Sequence, residues 1–64
     1  MNDKALSAYI EKTELARELA YRILAELNDH AGHNPNEINW SHVGDATHVA
    51  ESLSEIAEFM GVAK

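Results

Sequence analysis

Histidine and carboxylate side chains carry whatever reactive chemistry this chain offers, because cysteine is absent. The stretch INWSHVGDATHVAE, Ile38 to Glu51, holds His42, Asp45 and His48, and the preceding segment contributes His30 and His33. Imidazole nitrogens backed by carboxylates can bind a divalent metal or pass protons. The spacing His30-x-x-His33, with Asp29 and Glu37 close in sequence, is one way to grip an ion. His42 and Asp45 stand one helical turn apart, with His48 a turn further on.

The pattern does not reach a recognised metal motif. There is no HExxH, and no third ligand at a standard interval. His42 and His48 are six residues apart, so on one helix they point about 120° away from each other and cannot chelate one ion unaided. The plainer expectation is that His42 is half-buried and hydrogen-bonded to Asp45 or to the end of the first helix. His30 and His33 suit a helix C-terminus, where the dipole favours cationic groups. Metal or small-ligand binding through His30, His33, His42 and His48 is the alternative reading, and no cofactor is expected.

The elements that must position these groups are helices. The residues from Asn28 to Asn39, NDHAGHNPNEIN, collect Gly32, Pro35 and four asparagines, the composition of a loop between periodic segments. Gly32 is the expected cap of the first helix, with Pro35 following it. That helix starts at Asn2 or Asp3 and runs to about Asp29 or His30. Leu6, Ile10, Ala20, Leu24 and Ala31 fall on one stripe; Ala16, Leu19, Ile23 and Leu27 fall on a second, about 80° away. With Tyr9 and Tyr21 at the margins, the apolar arc spans about 200°, wider than one neighbouring helix covers.

The second helix starts between Asn39 and Asp45, and the earlier start is favoured, with Gly44 inside the helix. It ends near Met60, with Gly61 as cap. Val43, Ala46, Val49, Ala50, Leu53, Ile56, Ala57 and Met60 form one stripe about 140° wide. The opposite face carries Glu51, Glu55 and Glu58. The short loop predicts a single all-α domain over residues 1–64: an antiparallel helical hairpin with a long first helix, loop 28–39 and a second helix. Such a hairpin leaves one stripe of the first helix uncovered. The expectation is a homodimeric four-helix bundle with Ala16, Leu19, Ala20, Ile23 and Leu27 at the interface. The competing expectation is a monomer whose first helix breaks near Thr13 to give three helices.

Trp40, the one tryptophan, is expected to cover the end of the bundle, or else to anchor a partner. Arg17 lies within an apolar stripe and can pack its stem while its head reaches a carboxylate. Glu14–Arg17, Glu18–Arg22 and Arg22–Glu26 are candidate local pairs.

Bulk properties restrict function further. Sixty-four residues make a small core, and ten of them are alanines of little volume. Without cysteine the usual disulfide support is missing, which leaves a metal or a partner subunit. The formal charge is −6, from 11 acids and 5 bases. That argues against nucleic acid, whose binding rests on cations at phosphates, and against anionic membranes. No apolar run suits a membrane span, and the opening MNDKALSAYIEKTE is too polar and acidic for a signal peptide, so a cytoplasmic location is expected. From Asn34 to Ala63 there is no lysine or arginine against five acids. Trp40, Glu51, Glu55 and Glu58 therefore form a candidate surface for a basic protein partner. Two alanine-rich helices offer too little concavity for an enzyme pocket. The expected function is a non-enzymatic protein-interaction module.

Overall fold

A computed structural model describes residues 2–63. Among them every regular element is helical, and there is no strand. The chain divides into two units, Met1–His33 and Asn34–Lys64, taken here in turn.

The first unit is α1, Asp3–Asn28, followed by a turn. Asn2 caps its start: the Asn2 Oδ1 accepts the Ala5 backbone N–H at 3.0 Å, satisfying one of the orphan donors of a helix N-terminus. The helix is continuous through Thr13, whose hydroxyl donates back to the carbonyls of Tyr9 (2.9 Å) and Ile10 (3.0 Å). A hydroxyl folded onto its own turn needs no break in the chain. The expected break near Thr13 is therefore absent.

The end of α1 corrects the expectation for Gly32. The helix stops at Asn28, one residue short of the expected Asp29 or His30, with Asp29 in place of Gly32 as its cap, and the Asp29 N–H closes it onto the carbonyls of Ala25 (3.2 Å) and Glu26 (3.1 Å). His30 and Ala31 then adopt left-handed backbone, φ 57° and 53°, before Gly32 does so at 78°. Side chains with a Cβ pay roughly 1–2 kcal/mol for that conformation, whereas glycine enters it freely. Short hydrogen bonds hold the turn: Gly32 N–H to Asp29 C=O and His33 N–H to His30 C=O, both 3.0 Å. Ala31 accordingly leaves the apolar stripe that helical periodicity assigned to it.

The second unit opens with a 3-10 turn over Pro35–Glu37, in which the Asn34 Oδ1 accepts the Asn36 N–H at 2.9 Å. Proline at the first position of a helical turn forfeits no hydrogen bond, since its missing N–H would be an orphan there. Then comes α2, Trp40–Met60. Its start is the earlier of the two expected ones, with Asn39 as N-cap and Gly44 inside the helix. Its end is as expected: Gly61 is left-handed at φ 77°, with its N–H bonded to the Glu58 carbonyl (3.1 Å) and the Val62 N–H to the Ala57 carbonyl (2.9 Å). That pair of bonds is the Schellman closure.

Candidate functional site

His42 acquires its environment from the start of α2. The Asn39 Oδ1 accepts the backbone N–H groups of Ser41 (2.9 Å) and His42 (3.4 Å), and the His42 Nδ1 accepts the Asn39 N–H at 3.1 Å. This is a reciprocal capping box in which histidine takes the place usually held by glutamate or glutamine. One ring nitrogen of His42 is thereby engaged by the cap of its own helix. The reason is geometric: the third helical position faces back toward the cap, while Asp45 lies on the next turn. An accepting Nδ1 carries no proton, and its lone pair is committed to the backbone.

His30 sits in the left-handed turn and His33 closes it through its backbone N–H. His48 is exposed on α2. Among the described residues no group of three or more histidine, cysteine or acidic side chains is assembled to hold a metal.

Apolar surface is the prominent property of both units. No described residue is buried. In α1, Leu19, Ile23 and Leu27 remain 47%, 39% and 45% exposed. Ala16 and Ala20 are exposed with them, and Leu15, which periodic stripes alone did not flag, widens the arc beyond Leu19. The Glu18–Arg22 pair forms, with Nη2 to Oε1 at 2.7 Å, on two exposed side chains. Arg22 turns to Glu18 rather than Glu26. An exposed pair of this kind is worth only a few tenths of a kcal/mol.

On α2 the Trp40 indole is 86% exposed. Being the first residue of the helix, it projects on the side away from the apolar stripe. Phe59, at the other end, is 92% exposed and was not singled out by the sequence pattern. Its angular position would have found it. At about 100° per residue, Trp40 and Phe59 both lie about 130° from the centre of the Val43–Met60 stripe, flanking Glu51, Glu55 and Glu58. Gly44 lies between them in angle, nearly opposite the apolar stripe, and a Cβ built there would meet nothing within 4 Å.

No helix is long and apolar enough to cross a membrane among the described residues. No protein-family model matches the chain, and neither a curated protein nor a solved structure is significantly similar to it.

Proposed function

We propose that this chain is a small, acidic, non-enzymatic protein-interaction module that works as a homodimer, two antiparallel helical hairpins packed as a four-helix bundle. One observation carries the reading: a 64-residue chain that is 45% hydrophobic has no buried described residue. Helix packing within and between chains would cover part of that apolar surface, and a standard interface removes about 800 Å2 from each partner. The second stripe of α1, Ala16, Leu19, Ile23 and Leu27, with Ala20 from the first stripe beside it, is the natural contact between copies because it is continuous over about three turns and carries no charge of its own.

Absence of a cation-rich surface and a charge of −6 favour protein over nucleic acid as the wider partner, and a cysteine-free chain fits a reducing, cytoplasmic setting. Sedimentation equilibrium at micromolar concentration tests the assembly. Twice the 7.1 kDa chain mass is the expected result, and a clean single-chain species overturns it.

A further inference from the structure

The face of α2 opposite its apolar stripe combines three features that nothing within the helix requires. Trp40 and Phe59 are the two most exposed large apolar side chains among the described residues. They stand at either end of the face, about 28 Å apart along the axis at 1.5 Å per residue. Between them run Glu51, Glu55 and Glu58, with no lysine or arginine anywhere from Asn34 to Ala63 to offset them. Gly44 opens a bare strip of backbone one turn beyond Trp40. An alanine would fit there without contact, and its helix propensity is better by about 1 kcal/mol. Because Gly44 is nearly opposite the apolar stripe, packing on that stripe does not account for the missing side chain.

We propose that this face docks a basic amphipathic helix of another protein. Trp40 and Phe59 would be its apolar anchors, Gly44 the notch where the incoming helix approaches backbone, and the three glutamates the partners of lysines or arginines. Exposed tryptophan is the residue type most enriched at binding hot spots, and its ring also attracts guanidinium and ammonium groups. Charge selects the occupant. The same face of a second copy would set acidic strip against acidic strip and is repelled here, whereas a cationic segment gains both on-rate and register from the strip. This surface is independent of the proposed α1 contact between copies, so either can fail without the other.

The test titrates the protein with a synthetic 20-residue helical peptide bearing lysines on one face and leucines beside them, following the emission of Trp40, the one tryptophan in the chain. A saturable blue shift is expected as the exposed indole is covered. Gly44→Ala should weaken binding about tenfold or more while its melting temperature holds or rises, which separates docking from folding. Phe59→Ala should weaken it similarly, and the triple reversal Glu51→Lys, Glu55→Lys, Glu58→Lys should abolish it. The proposal is overturned by an unshifted emission, by wild-type binding in Gly44→Ala and Phe59→Ala, or by an equal blue shift from unstructured poly-lysine, which would mark diffuse charge attraction. Sedimentation reports on the α1 contact separately.

Discussion

Replacing Leu19 or Ile23 by glutamate puts a charge at the centre of the α1 stripe, and the consequence can be worked from exposure. Fully burying a leucine or isoleucine is worth about 1.5–3 kcal/mol. Leu19, Ile23 and Leu27 still expose 39–47% of their surface, so covering each one's remainder gains roughly 0.6–1.4 kcal/mol. Three residues from each of two chains then supply about 3.5–8.5 kcal/mol. Association costs an estimated 4–15 kcal/mol in lost freedom. The central three are thus necessary without being sufficient, and Leu15 with the flanking alanines must contribute. In a symmetric dimer each substitution appears twice, removing two apolar contacts and placing two carboxylates where water would be excluded, at several kcal/mol apiece if they stay charged. The dimer's affinity should fall at least a hundredfold. Sedimentation equilibrium over 1–200 µM, paired with circular dichroism melts, measures it, since a dimer's melting temperature rises with protein concentration. Leu19→Ala serves as the milder control. Unchanged mass and melting in both Leu19→Glu and Ile23→Glu would refute the argument that this stripe is covered in the working protein.

Other perturbations address single features. His42→Ala removes the acceptor for the Asn39 N–H and should lower stability by about 0.5–1.5 kcal/mol in thermal or urea unfolding; His42→Gln, which restores the usual capping-box partner, should recover most of it. Gly61→Ala forces a Cβ into φ 77° where there is no steric neighbour, so its cost, about 1 kcal/mol, should be purely conformational. Ala31→Gly should move stability the other way by about 0.5–1 kcal/mol, because Ala31 already holds a left-handed backbone. Excess zinc or nickel should leave the melting temperature unchanged, since the described histidines are not assembled into a ligand group; a reproducible rise would revive the His30, His33, His42 and His48 reading.

Local chemistry explains why much of the helical layout was legible. Asn2, Asn39 and Gly61 work as caps through bonds to residues two to five positions away, and such bonds depend on sequence neighbours alone. The Gly44 question was decided by the same means. Once Asn39 caps α2 with two backbone bonds and a histidine reciprocates, an interior glycine is tolerated at a cost of about 1 kcal/mol. Gly32 misled for an equally local reason. A glycine before a proline is a strong stop signal, yet Asn28 ends the helix because Asp29 bonds back to Ala25 and Glu26 and the chain turns left-handed at His30. Left-handed histidine and alanine are rare enough that propensity assigns them elsewhere.

The candidate chemistry was less legible than the elements. Residue types placed His42 beside Asp45, but a helix start offers backbone N–H groups that compete for any nearby acceptor, and Asn39 won the Nδ1 lone pair. Trp40 reads as a core residue by type and as a surface residue by position, since the first residue of a helix has no preceding turn to lie against.

By itself the sequence determined two amphipathic helices, the glycine that ends the second and a strongly acidic balance, and it offered Asn2 and Asn39 among the candidate caps, because each depends on interactions within a few residues or on composition alone. The tertiary structure decided where α1 stops, what the His42 ring holds and how much of Leu19, Ile23, Trp40 and Phe59 is left to water. Those outcomes follow from competition among backbone donors and from the three-dimensional reach of side chains, which no linear spacing encodes.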